Sequence, residues 1–377
     1  APTWSHPSSI IPISGPVQVA CLEVKERNYR AGGIENPCPL GEAMAVDVED
    51  LWLQALDAQD EDDRDEMCRL SDEIIDADPD HAEAWWMRAN LELPQHGEPN
   101  LREVSRCLRA CRKSIEYDPE NRPAWWRGGQ ILVQELGMLE EALVWWQLRR
   151  EVSPTDPEPL IEQVAILADL GQYAISAERL NQLWAEGMDA MAHSQLMRTA
   201  RLHETVKKAA EREKTLIFRP WEKDHPGWKD IEFQRKKKPA NEQLTFLMLA
   251  GPIVMAEVFL WNSFEFSGST WIPMISGFLL VVGTVLIGVK WSKTLTRRLN
   301  RPAYNVIRAT DVEMSSGKTC FPNDWRPLKL YQALLKYRTT AFQERLEKVV
   351  EAGEPLPQKW KPNIPDMTTV DLIFEEE

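Results

Sequence analysis

The sequence predicts an all-α protein: a solenoid of helical hairpins, then a two-helix transmembrane hairpin, then a small helical tail. Three observations carry this expectation. A helix–turn–helix pattern recurs four times between Val48 and Met188. Two apolar runs, Leu244–Phe264 and Trp271–Val289, have roughly the length a helix needs to cross about 30 Å of hydrocarbon. Beyond them, Leu328, Tyr331, Leu335, Phe342, Leu346 and Val349 recur at three-, four- and seven-residue steps, one apolar stripe of a single amphipathic helix ended by Gly353 and Pro355.

Residues 1–43 lack helical periodicity and are rich in Pro, Gly and Ser, so they read as a disordered segment, with Met44 the expected natural start. No basic residue precedes Lys25, which argues against a signal peptide. Val19-Ala20-Cys21 has the end of a bacterial lipoprotein cleavage site, but Gln18 stands where an aliphatic residue is needed.

Residues 44–189 hold the four repeat units: Val48–Pro79, Ala82–Pro119, Arg122–Pro154 and Pro157 to about Met188. Their first helices carry Leu51/Ala55, Trp85/Ala89, Trp125/Gly129 and Leu160/Val164, a large apolar residue followed four positions on by a small or branched one. Their second helices carry Met67/Ser71, Cys107/Cys111, Ala142/Trp146 and Ser176/Leu180. Pro94–Asn100 is an insertion in the turn of the second unit. The third unit, RPAWWRGGQILVQELGMLEEALVWWQLRREVSP, shows the pattern most fully.

These units resemble the tetratricopeptide repeat (TPR) family, whose repeat of about 34 residues pairs two helices around such positions. The resemblance implies a curved scaffold that holds a protein or peptide along its first helices, and no enzyme. The residues next to the packing positions then become the candidate groove: Trp52, Trp86, Trp126 and Ile161, with Arg88, Asn90, Arg127 and Gln130 beside them. Tryptophans would anchor apolar side chains, amides would bind peptide backbone, and arginines would meet a carboxylate. Family members that grip chaperone tails use a clamp of two basic residues and two asparagines. Trp86 stands where that clamp has a lysine, which argues against chaperone tails.

Residues 190–243 read as a helical cap over Ala190–Thr215, then a linker. Within it Phe218–Trp228 reads as either a lipid-surface segment or a plain polar linker. The apolar hairpin, residues 244–289, has no Lys or Arg in its loop Glu265–Thr270. Basic residues flank it: Arg235-Lys-Lys-Lys238 before, and Lys290, Lys293, Arg297, Arg298 and Arg301 after. Basic flanks stay on the cytoplasmic side, so the expected arrangement is an integral membrane protein with both ends in the cytoplasm. Gly277, Thr284 and Gly288 share a face of the second span and are expected to meet the first, with Glu257 pointing toward them and bonded to Ser276 or Thr284 or held protonated. Residues 290–377 form the expected cytoplasmic tail.

The whole chain carries a formal −15, and Met44–Asp189 alone has 33 acidic and 13 basic residues. That excess argues against nucleic acid as the groove ligand. The six cysteines and six histidines form no C-x-x-C or H-E-x-x-H, so neither a metal nor a cofactor is expected, and no small-molecule substrate is evident. Ser316-Gly-Lys-Thr319 has the end of a phosphate-binding loop, but Val312 stands where that loop requires its first glycine.

The layout is similar to thylakoid TPR proteins that assist photosystem II assembly, which implies membrane-complex assembly in general terms. The expected function is a membrane-anchored TPR adaptor. The alternative is an accessory subunit of a transport or secretion machine in which the hairpin and Glu257 act.

Overall fold

The structure is a computed structural model, and it describes residues 47–184, 188–211, 217–263 and 271–365. The expectations for residues 1–43 and for the loop Glu265–Thr270 lie outside the described residues. The described residues form fifteen α-helices, one π turn and one 3-10 turn, with no strand among them.

Four helical hairpins come first: α1 (Val48–Asp60) with α2 (Arg64–Ala77), α3 (Ala82–Leu91) with α4 (Leu101–Tyr117), α5 (Arg122–Gln130) with α6 (Leu139–Val152), and α7 (Pro157–Asp169) with α8 (Tyr173–Gln182). Each helix packs on the next, and α9 (His193–Ala210) closes the series against α7 and α8 through Leu202 and Val206.

Short sequence signals place these boundaries. Pro79, Pro119 and Pro154 cannot continue a helix, and a capping side chain follows each of them two residues on. Ala84 N–H donates to His81 Nδ1 at 3.1 Å, Ala124 N–H to Asn121 Oδ1 at 3.2 Å, and Glu158 N–H to Asp156 Oδ1 at 3.0 Å. The two equivalent tryptophans repeat one further bond. Trp85 Nε1 donates to Pro79 O and Trp125 Nε1 to Pro119 O, both at 2.8 Å.

The large–small pairing of the third unit has a direct physical basis. A Cβ on Gly128 would come within 2.3 Å of the Trp145 ring, and one on Gly129 within 2.2 Å of the Trp146 ring. The two rings of α6 lie flat on backbone that only glycine leaves bare. Trp145 Nε1 also donates to Trp125 O at 2.8 Å, fixing α6 across α5. The π turn Ile131–Glu135 follows, with Leu136 N–H donating to Ile131 O at 2.9 Å.

Downstream, α10 (Pro226–Gln234) precedes two long apolar helices, α11 (Glu242–Ser263) and α12 (Trp271–Leu299). Then come α13 (Arg301–Ser316), α14 (Lys329–Leu335) and α15 (Thr340–Ala352). The tail is therefore three helices where the periodicity predicts one. The apolar stripe breaks after Leu335 because Thr339 caps a new helix, accepting from Phe342 N–H at 3.4 Å. Both pieces stay buried on one core, so the stripe remains continuous in space while the backbone turns.

The segment Phe218–Trp228 is packed into the tail's core rather than being a plain polar linker. Phe218 is buried, and Trp228 packs on it at 5.1 Å between ring centres and on Phe321 at 6.0 Å. Its indole N–H donates to Glu222 O at 3.0 Å. Its ring partners Phe321 and Trp325 come from about a hundred residues later, beyond any local pattern.

The tail is also docked on the repeats. Phe342 is wholly buried against Gly137, whose φ of +61° and 2.8 Å clearance leave no room for a Cβ. Leu101 N–H donates to Glu344 Oε2 at 2.9 Å. The inserted turn Pro94–Asn100 does more than lengthen a connection: Thr340 donates from its N–H at 3.0 Å and its hydroxyl at 2.8 Å to Glu98 Oε2. Arg308 reaches the carbonyl end of α7, donating to Asp169 O at 3.3 Å and to Tyr173 OH at 2.7 Å.

Candidate functional site

Four positions follow the packing residues of the first helices, and the structure treats them unequally. Ile161 is buried in the core, and Trp52 is half-buried with its ring 5.1 Å from that of His81. Trp86 packs against the central core from its edge, so it has the core role that its position beside Trp85 obscures in the sequence. Trp126 alone among these four is exposed, at 41 % of its surface, while its neighbour Trp125 retains 4 %. Adjacent helical residues point about 100° apart, which sends one indole inward and the other to solvent.

The polar candidates are largely engaged at home. Arg88 pairs with Asp72 at 3.3 Å and Glu92 at 3.2 Å. Asn90 Nδ2 donates to Trp86 O at 3.0 Å, one turn back on its own helix. Arg127 has a buried Nε with no acceptor, and Gln130 is half-buried at the end of α5. Of these candidates only Trp126 presents a largely uncommitted surface to solvent.

The described cysteines take part in packing. Cys107 and Cys111 are fully buried, and the hydrogen-bonded Cys107 beside it, with burial, pushes the Cys111 thiol far up. No cluster of metal-ligating groups occurs among the described residues. Gly317 ends α13 with φ +63° and Lys318 pairs with Glu354 at 3.5 Å, so Ser316–Thr319 forms a helix C-cap rather than a phosphate cradle.

The two apolar helices pack antiparallel in one register, α11 and α12 exchanging matched pairs along their length. The Trp261 ring lies 3.2 Å from where a Gly277 Cβ would sit, Glu257 accepts from Thr284 Oγ1 at 2.6 Å, and Ala250 lies 2.7 Å from where a Gly288 Cβ would sit. The seam continues past the apolar span as Ser292, Thr296 and Asn300, four residues apart and all buried. At the base, Asn300 grips Ala240 with two hydrogen bonds. Glu257 Oε2 is buried with no partner. Other faces of both helices are bare and apolar, Met248 at 70 % exposure and Phe278 at 62 %.

Sequence reasoning passed over the charged centre of the tail. Glu313 is fully buried in the second core and accepts at 2.7 Å from each of Cys320 N–H, Phe321 N–H and Arg326 Nη2. Arg326 Nη1 donates to Glu313 Oε2 at 3.0 Å and to Tyr331 OH at 2.8 Å. Burial lifts the Glu313 carboxyl and outweighs the Arg326 guanidinium, and it pushes the Tyr331 phenol up to about 12. Nothing in the spacing of 313, 326 and 331 marks such a group, because the turn Phe321–Leu328 brings its members together.

No protein-family model matches the chain, and no curated protein matches it either. The class that the fold defines is all-helical, with two helices long and apolar enough to cross a membrane.

Proposed function

We propose that the protein is a membrane-anchored adaptor of the tetratricopeptide kind, whose helical head holds a protein or peptide partner and serves the assembly of a membrane complex. Trp126 carries this reading. With 41 % of its surface exposed beside a fully packed tryptophan, Trp126 leaves apolar area that a partner can cover. Arg127, half-buried beside it on the same helix, adds a positive charge near that surface.

The anchor follows from α11 and α12. Their candidate spans, Glu242–Trp261 and Ile275–Leu299, are only 6 % and 11 % buried. Core helices of a soluble protein hide their apolar residues; these two present them outward and keep the small and polar ones between them. The basic residues on both flanks favour the head and tail on the cytoplasmic side.

A second reading rests on Glu257, whose unpartnered oxygen inside the hairpin suits a subunit of a transport or secretion machine. Affinity purification of the full chain from mild detergent separates the two. The adaptor reading expects Trp126→Ala to lose a stoichiometric partner that wild type and Glu257→Gln both retain. Equal capture by wild type and Trp126→Ala overturns it. For topology, a cysteine replacing Ser267 is expected to react with an impermeant reagent outside intact cells and one replacing Lys359 is not; the reverse pattern overturns the arrangement.

A further inference from the structure

Between α4 and α15 lies an open cleft of about 870 Å³, floored by Leu136, Met138 and Val349 and lined by no carboxylate. That is unexpected in a head with so large an acidic excess. Five cations line it instead: Arg102, Arg106 and Arg109 from one face of α4, and Arg345 and Lys348 from α15. Arg106 shares Glu92 at 3.4 Å, but no ion pair engages Arg102, Arg109 or Lys348 among the described residues.

Arg345 is the deepest of the five, at 7 % exposure. Its Nη1 donates to Leu136 O and, at 3.1 Å, to Met314 O, while its Nη2 is buried with no acceptor. A guanidinium half-satisfied by carbonyls and otherwise facing apolar walls is poorly compensated. Burial lowers it to about 10, against the pull of the nearby Glu141. The flanking acids are already used: Glu103 caps α4, Glu344 receives Leu101 N–H, and Glu141 pairs with Arg112 at 2.9 Å.

We infer that this cleft binds a phosphate monoester carried on an apolar body, with Arg102, Arg109, Arg345 and Lys348 around the phosphate and Leu101, Met138 and Val349 under the body. The charge favours phosphate. Near neutral pH a monoester approaches two negative charges and offers three acceptor oxygens, which suits a cleft lined by several guanidinium and ammonium donors better than one carboxylate does. The size favours a small ligand, since the cleft falls within the roughly 300–1,000 Å³ of small-molecule sites. The floor favours an ester over the bare ion. A soluble phosphate ester and the headgroup of a phosphatidic-type lipid share this chemistry. The site lies apart from Trp126 and does not rest on the adaptor reading.

The full chain in phosphatidylcholine nanodiscs is titrated with 1-naphthyl phosphate, and with 1-naphthol as the uncharged control. Saturable binding of the phosphate is expected, at least tenfold tighter than the naphthol. The exposed pair Arg109→Glu with Lys348→Glu should weaken it at least tenfold without lowering the melting temperature. The milder pair Arg109→Gln with Lys348→Gln should weaken it severalfold and guards against misfolding of the first. Discs bearing phosphatidic acid, compared with phosphatidylglycerol discs of equal surface charge, identify the source. Loss of naphthyl phosphate binding in the former alone supports a lipid headgroup, and equal binding in both supports a soluble ester. Naphthol binding as tightly as its phosphate, or affinity unchanged in both charge variants, overturns the inference.

Discussion

The side chain of Asn300 and the main chain of Ala240 hold each other by two hydrogen bonds: Ala240 N–H to Asn300 Oδ1 at 2.7 Å, and Asn300 Nδ2 to Ala240 O at 3.0 Å. The two residues stand where the chain enters α11 and leaves α12. A carboxamide carries a donor and an acceptor side by side, so it can meet the main-chain N–H and C=O of one residue together. The clasp therefore sets the register of the hairpin at its base.

Asn300→Leu should lower stability by roughly 1–3 kcal/mol, the cost of leaving such groups unpaired. Asn300→Asp keeps the acceptor and should lose less. Melting of the full chain in detergent reads both; a Leu variant as stable as wild type would show that the clasp is incidental.

The contact of Gly129 with Trp146 makes a prediction with a built-in rescue. Gly129→Ala forces a methyl into the indole and should cost about 1–3 kcal/mol. Trp146→Phe shrinks the ring, so the double variant should recover part of that loss. Additive losses in the double variant would mean the strain lies elsewhere.

The neighbouring tryptophans of α5 should separate cleanly. Trp125→Ala removes a buried indole that also bonds Pro119 O, and should cost about 3–5 kcal/mol. Trp126→Ala should cost under about 0.5 kcal/mol, as surface changes do. Trp86→Ala should fall between them, since that ring packs on the core edge. Chemical denaturation of the three variants checks the order.

Glu140 gives a pH dependence. Its side chain is buried, its Oε1 has no partner, and burial lifts the carboxyl from 4.5 to about 7. The folded protein keeps this proton over a range where the unfolded chain has released it. The stability contributed by this group is full below about pH 4.5 and is lost as pH rises through about 7. Glu135, Glu141 and Asp169 are shifted the same way by burial, so the wild-type slope is shared among several groups. Melting temperatures of wild type and Glu140→Gln across that window should differ in slope, the variant being flatter. Parallel curves would remove Glu140 from the account.

The four repeat hairpins and the two apolar helices were legible in the sequence because each is specified locally. A proline, a capping Asn, Asp or His, and a large–small pair four residues apart fall within one turn of where they act. The carboxylate–hydroxyl contact of Glu257 and Thr284 was legible for a similar reason, as a costly group facing a seam of small residues. The tail was not. Whether Trp228 meets lipid or Phe321, and whether Leu335 and Phe342 share one helix or two, depends on chain segments far away in sequence. The role of Trp86 was obscured because its neighbour Trp85 already accounted for the packing position. The basic cleft was hidden because Arg102, Arg106 and Arg109 look like an ordinary solvated face until α15 is laid across them.

The docking of α15 on the head also orders events during synthesis. Arg345 bonds the carbonyl of Leu136 across 209 residues of chain, with both apolar helices lying between them. When the ribosome has finished the repeats, the socket beside Gly137 still waits for Phe342, and it stays open until α11 and α12 have been made. A contact this distant closes slowly and late. The head thus reaches its final form only after the hairpin has emerged, and a chain stalled inside the hairpin would display an unfilled apolar socket, the kind of surface that chaperones and proteases recognise.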